Sequence, residues 1–246
     1  MVKKFLLLSF FTLICFSSFA DEYDDEFSQF ESEFSQNSGE NIYDPIEPLN
    51  RKIFVFNDTI DRFAFEPLAK GYRNYVPKPI RKSVRNFTTN IALPVSVINS
   101  LAQGKLDNAM ASFSHFLINS TIGVVGLFDV AGSKNIKYES EDFGQTLGHY
   151  GVKNGPFLIL PIFGPSNARD AGGRAFDTAI SITGFNVLEI GPEIDDEYLI
   201  TNAALSGIDS RESLIDVVDD ARKDSLDLYI TMRSYYSQNR NSKINK

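Results

Sequence analysis

The sequence predicts one mostly α-helical domain, and three observations lead there. Apolar residues recur at spacings of three and four in several segments, most prolines fall between those segments, and no alternating stretch is long enough to argue a sheet. At 246 residues and 43% hydrophobic content, the chain is long enough to bury one sizeable core. Twenty-one Phe against ten Tyr and no Trp favours either a large core or an apolar surface, and composition alone does not separate the two.

Residues 1–20 read as a secretory signal. Lys3 and Lys4 supply a positive start, Phe5 to Phe16 an apolar stretch, and Ser18-Phe19-Ala20 a small-x-small site with cleavage after Ala20. The apolar stretch is shorter than the roughly 20 residues a membrane-spanning helix needs. Cys15, the one cysteine, would leave with the signal, so no disulfide or thiol metal site is expected in the mature chain. Residues 21–41 hold eight Asp or Glu with no Lys or Arg and read as an acidic, disordered tether. Outside these segments stand 22 basic and 24 acidic residues, a balance that offers no field to attract nucleic acid.

Residues 42–236 carry the helical domain. Ile53, Phe56, Ile60 and Phe63 form one helical stripe, Ile80, Val84, Phe87 and Ile91 a second, and Leu106, Met110, Phe113 and Leu117 a third. Pro67, Pro77, Pro79 and Pro94 are expected to break the chain between them. Ser166 or Asn167 can cap a further helix through about Ile182. Asp209 and Glu212 have capping-box spacing ahead of Leu214, Val218, Ala221, Tyr229 and Met232, which predicts one long, charged C-terminal helix. Residues 237–246 are polar and expected to fray.

Catalytic equipment is sparse. His115 and His149 have no His, Cys or acidic partner at metal-ligand spacing, so a core or interface role outweighs catalysis for each. "GPSNARD" lacks the second glycine of a nucleophile elbow, and the sequence holds no phosphate loop or H-E-x-x-H motif. Asp142, Asp170 and Asp177 could pair as acid and base, but helix-cap or arginine-paired roles fit them better. No cofactor or metal is expected.

The stretch "EDFGQTLGHYGVKNGPFLILPIFGPSNARD" is the least ordinary. Gly144, Gly148, Gly151 and Gly155 recur at spacings of four, three and four, so a helix there would carry them on one face. Such a helix loses up to about 1 kcal/mol per glycine relative to alanine. Either the segment is a loop, or its bare face admits another backbone at close range. Prolines around and within Phe157 to Phe163 spoil a helix and a central strand alike, leaving an extended or re-entrant piece that faces core or lipid.

Across residues 43 to about 215, the ordered motifs "YDPIEPLNRKIFVFND", "NFTTNIALP", "NSLAQGK", "FLINSTIGVVGLFDVA", "EDFGQTLGHYGVKNGPFLILP" and "GPSNARDAGG" resemble the VacJ/MlaA outer-membrane phospholipid-transport family. The resemblance implies a ring-shaped helical domain, monotopic in the periplasmic leaflet of a Gram-negative outer membrane, with no transmembrane helix. It implies an amphipathic channel that takes phospholipid from the outer leaflet and passes it to a soluble periplasmic carrier, with a trimeric porin as a docking partner and no bond cleaved. The rival readings are a secreted lipid hydrolase built on Asp142, Asp170 and His149, and a structural scaffold for porins. The family pattern sets a small residue before an acylated cysteine, whereas here the bulky Ile14 precedes Cys15, a departure at the position on which a lipid anchor depends.

The same resemblance places polar residues on the channel or ring: Asn50, Arg51, Asn57, Asp58 and Asp61 with Phe56 among them, then Asn86 and Asn119, then Arg169, Asp170 and Asp177. Buried, each must be paired or face a wet lumen. Arg169 with Asp170 or Asp177 is either a structural ion pair or a headgroup contact. By analogy the Gly144 to Gly155 face and the apolar Phe157, Leu158, Leu160 and Phe163 belong to the ring wall or rim.

Overall fold

The computed structural model describes residues 42–188 and 196–246, so the signal and tether expectations for residues 1–41 lie outside the described residues. Helix α1 (Glu47–Ile60) runs through a π-helical turn (Asp61–Phe65) into α2 (Glu66–Tyr75). Pro67 does not break this rod: it stands just after the π-helical turn, whose shifted hydrogen bonding, with the Glu66 N–H on the Asp61 carbonyl, accommodates its missing N–H. Pro77 does act as a boundary, preceding α3 (Lys78–Ala102). Pro94 lies inside α3 against expectation: the helix gives up one hydrogen bond there while lying against α4 (Leu106–Thr121).

After α4 the chain passes through turns in which Val124 and Val125 take φ of 54° and 58°, a region β-branched residues rarely enter. Short helices α5 (Val130–Ser133) and α6 (Phe143–His149) follow. A two-stranded antiparallel hairpin, β1 (Phe157–Leu160) and β2 (Gly164–Asn167), then leads into α7 (Ala168–Leu188). Asn167 caps α7 as expected, its Oδ1 accepting the Asp170 N–H at 2.8 Å.

The hairpin corrects the expectation of no sheet. Each strand is only four residues long, and Pro165 stands on β2, where its missing N–H leaves no gap inside a wider sheet. The C-terminal helix is corrected too. Asp209 and Glu212 lie within α8 (Asp196–Ser213), and the chain breaks at Leu214 before α9 (Ile215–Asp224) and again before α10 (Leu228–Asn245). The capping residue is Asp227, whose carboxylate accepts the Ile230 N–H at 3.3 Å. Residues 237–246 do not fray in this arrangement: α10 continues to Asn245 and Arg240 is only 3% exposed.

The burial pattern reverses the usual order of a water-soluble protein. In α4 the predicted stripe faces outward, with Leu106, Met110, Phe113 and Leu117 exposed by 62, 69, 49 and 45%, while Ala109, Ser112, His115 and Asn119 are buried. In α3 the buried positions include Thr88, Asn90, Ser96, Asn99 and Ser100, whereas Ile98 and Leu101 are exposed. Exposed Ile122, Val124, Val125 and Phe128 extend this apolar surface past the end of α4. So large an apolar surface marks contact with a partner or with lipid. No helix among the described residues is long and apolar enough to cross a membrane.

Candidate functional site

Between α2, α3, α8 and the chain around residues 129–140 lies a cavity of about 660 Å³. Arg73, Lys78, Arg81, Lys82 and Arg85 line it together with Glu212, Asp216, Ala92, Leu93 and Ser96. Buried Glu212 is shared: Arg73 Nε donates to its Oε1 at 2.8 Å, Arg81 pairs with the same oxygen, and Arg85 approaches Oε2 at 3.4 Å. Arg73 also grips Asp216 at 2.8 and 3.0 Å, and Arg85 donates to Asp209 at 3.1 Å. Burial raises the Asp209 carboxyl above its ordinary range against the pull of Arg85. Lys78 and Lys82, by contrast, have no carboxylate partner among the described residues. The wall therefore combines arginines fixed in ion pairs with two cations left to meet something else.

A second cavity of about 220 Å³ is mostly apolar, lined by Phe54, Ile60, Phe65, Phe163, Val218 and Met232 among others. Asp58 and Asp61 stand at its edge. Asp61 accepts from Arg211 at 2.6 and 2.9 Å, and Arg222 reaches Asp58, Asp61 and Glu66 at 2.7 to 2.8 Å. These contacts tie α1 and α2 to α8 and α9.

The remaining polar residues singled out from the sequence are paired rather than directed at the larger cavity. Asn50 and Asn57 bind the backbone of β1 and the turn after it. Arg51 bridges Glu47 and Asp227, with its guanidinium 4.4 Å above the Tyr229 ring. Phe56 is exposed. Asn119 Oδ1 accepts the Val130 and Ala131 N–H groups at 2.9 and 3.0 Å, capping α5. Only Asn86 of the eleven lines the larger cavity. In the amide orientation its neighbours favour, it donates to the Lys82 carbonyl and accepts the Asp129 N–H, each at 3.3 Å.

Arg169, Asp170 and Asp177 belong to a buried network at the junction of α6, α7 and α10. Asp170 accepts from Arg169 at 2.9 Å, Asn167 at 2.7 Å, Tyr236 at 2.5 Å and Arg240 at 2.8 Å. Arg240 also holds Asp142 at 2.5 and 2.9 Å, while Asp142 forms a capping box with Gln145 at the start of α6. Asp177 accepts the Phe143 N–H and the Asn99 amide, both at 2.9 Å. Burial pushes Asp177 up to about 6, since those neutral donors do not offset its desolvation. Burial also opposes ionisation of Asp142, but the charge and hydrogen bonds of Arg240 hold it down at about 2. Held by arginines, amides, a tyrosine hydroxyl and backbone N–H groups, the three carboxylates lock α6, α7 and α10 together, while His149 packs against Tyr150.

The glycines serve this lock. A Cβ on Gly144 would lie 2.7 Å from both Arg240 Nη2 and Asp170 Oδ1, and one on Gly148 would lie 2.8 Å from Ile244 Cδ1. The expected shared face thus exists for Gly144 and Gly148, but it receives α10 and the ion pairs. Gly151 and Gly155 fall outside α6 at φ of 82° and 70°, in loop conformations that favour glycine. Phe157 is in the core at 2% exposure with Ile159, Tyr229 and Tyr236, because β1 is held between α1 and α10. Leu158, Leu160 and Phe163 are half-buried and Ile162 is 47% exposed, so the run buries Phe157 and Ile159 in the core and leaves its turn at the surface.

The sequence reading missed Arg73, Lys78, Arg81, Lys82, Arg85 and Glu212. A signal existed: Lys78, Arg81, Lys82 and Arg85 stand at i, i+3, i+4 and i+7, one basic face of one helix.

Apolar groups outward, paired polar groups inward and a charged cavity define a helical protein suited to the boundary between lipid and water. A family model described as MlaA lipoprotein matches residues 42–243. The chain belongs to that family. It is similar to the intermembrane phospholipid transport system lipoprotein MlaA of Escherichia coli, 35% identical over 199 residues, covering 79% of this chain and 76% of that protein. The MlaA of Haemophilus influenzae is 35% identical over 205 residues, covering 82% and 79%. An uncharacterised protein of Rickettsia bellii is 35% identical over 244 residues, covering 99% and 93%. A solved structure described as the structural basis for maintenance of bacterial outer membrane lipid asymmetry superposes with a TM-score of 0.70 at 34% identity, over 82% of this chain and 98% of that one.

Proposed function

We propose that this protein is a phospholipid-transport component of the outer membrane that moves intact lipid through the 660 Å³ cavity and cleaves no bond. The observation that carries this reading is the inversion of the α3 and α4 pair, apolar where it is exposed and polar where it is buried, beside a cavity wide enough for a head group. Relatives named for intermembrane phospholipid transport support it. Acyl chains meet the exposed stripe while the charged wall meets the head group. Monotopic seating in the periplasmic leaflet, docking on a trimeric porin and transfer to a soluble periplasmic carrier complete the proposal.

The test is reconstitution in vesicles of fluorescent phospholipid, scored for transfer to an acceptor and for release of fatty acid or head group. Transfer without release is expected. Release at catalytic turnover would overturn the reading in favour of a hydrolase. Filling the cavity with Ala92→Trp should block transfer while the helical signal is kept, whereas a pure porin scaffold would tolerate it.

A further inference from the structure

We propose that Lys78 and Lys82 form a phosphate clamp at the 660 Å³ cavity, selecting phospholipids whose head group carries net negative charge. The inference rests on the transport reading and names the lipid class of its cavity. Both lysines stand in the opening turns of α3, four residues apart and exposed, so their ammonium groups share one helix face. Five basic and three acidic side chains line the cavity. The acids are already engaged: Glu212 and Asp216 are held by Arg73 and Arg81, and Asp129 accepts the Gly132 N–H and the Asn119 amide. With Asp209, which pairs with Arg85 just outside the lining, five basic groups face four carboxylates, and the one positive charge in surplus is carried by the two lysines, which have no carboxylate partner among the described residues. The positive end of the α3 dipole reinforces it.

The surroundings match the rest of such a ligand. Ile80 is exposed between the two lysines in sequence, and Leu127 and Phe128 are exposed beyond Asn86, which ties the 127–129 turn to α3. A phosphate on the lysines would thus have apolar surface for its chains close by. The same two lysines set a like-charge penalty against a head group with its own ammonium or choline cation. An anionic head group meets no such penalty.

The experiment titrates the full chain in detergent with dioctanoyl phosphatidylglycerol, dioctanoyl phosphatidylcholine and soluble glycerol phosphate, comparing wild type with Lys78→Gln/Lys82→Gln and with Lys153→Gln, an exposed lysine outside the cavity. Wild type should prefer phosphatidylglycerol on the order of fivefold, the preference should vanish in the double variant with phosphatidylcholine binding kept, and Lys153→Gln should leave it intact. Equal binding of the two lipids by wild type, or a preference that survives the double variant, would overturn the clamp and leave the transport reading standing. Glycerol phosphate binding as tightly as the lipid would assign the site to a soluble phosphate ester instead and also overturn it. Failure to bind either lipid would count against the transport reading itself. Thermal melting of all three proteins separates loss of binding from loss of fold.

Discussion

Asn50 extends β1 as if it were a neighbouring strand: its Oδ1 accepts the Ile159 N–H at 2.9 Å while its Nδ2 donates to the Phe157 carbonyl at 3.0 Å. Two turns further along α1, Asn57 repeats the contact, donating to the Leu160 carbonyl at 2.9 Å and accepting the Ile162 N–H at 2.8 Å. Two amides on one helix face thus satisfy one edge of a hairpin that has no third strand among the described residues. Ile162, at φ 71°, is held in its strained conformation by the second of them.

Asn50→Ala should therefore destabilise the fold by about 2 to 4 kcal/mol, since it orphans a buried donor and a buried acceptor together. Asn57→Ala should cost less, because its contacts lie nearer the surface. Urea unfolding in detergent, followed by far-ultraviolet circular dichroism, checks both. Equal and small losses would mean that the hairpin edge is satisfied by solvent.

The buried lock predicts a stability curve with two limbs. Asp142, held at about 2 by Arg240, contributes stability that is present above the ordinary carboxylate range and lost as pH falls through about 2. Asp177, raised to about 6, works in the opposite sense: its contribution is full below the ordinary range and is lost as pH rises through about 6. Stability should rise from pH 2 to about 4 and then decline toward pH 6, by on the order of 2 kcal/mol for the Asp177 limb. Asp177→Asn should flatten the decline while leaving the acid limb. Melting temperatures across that range decide it, and a decline unchanged in the variant would assign it to another group.

Arg240 joins Asp142 and Asp170 from the far end of the chain, so truncation before residue 240 should behave as a core mutation. Arg240→Ala leaves two carboxylates short of their shared counter-charge and should cost about 3 to 5 kcal/mol. A chain ending at residue 236 should unfold as readily. If truncation left the melting temperature unchanged, α10 would carry no part of the lock.

Helix positions were largely legible because the period of apolar residues survives whichever way a helix faces. What that period does not encode is direction. The stripe Leu106, Met110, Phe113 and Leu117 marks α4 correctly, yet it points outward, and the sign shows only in the opposite face, where Ser112, His115 and Asn119 are buried. The hairpin was hidden because its outer edge is closed by side chains 107 and 103 residues away in sequence. The C-terminal break was hidden because Asp209 and Glu212 have the spacing of a cap and the chemistry of an ion pair, and arginines on α2 and α3 claim them as the latter. The lock is partly legible: the sequence favours capping or arginine-paired roles for Asp142 and Asp170, while their main partner, Arg240, lies in residues expected to fray.

The outward stripe of α4 yields the most direct test of membrane seating. Met110 and Phe113 are 69 and 49% exposed and outside both cavities, so replacing them with Asp fills no site and empties no core position. Each side chain moved into acyl chains contributes roughly 1.5 to 3 kcal/mol of partitioning, and each carboxylate placed there adds a desolvation cost. Met110→Asp/Phe113→Asp should lose most of its flotation with phospholipid vesicles while keeping its helical signal and melting temperature. Swapping the exposed pair Asp220 and Lys223 instead, as Asp220→Lys/Lys223→Asp on the charged face of α9, should leave flotation nearly unchanged on neutral vesicles. A chain that floats equally well with both pairs would show that the α4 stripe meets something other than lipid, a second protein surface being the alternative its exposure allows.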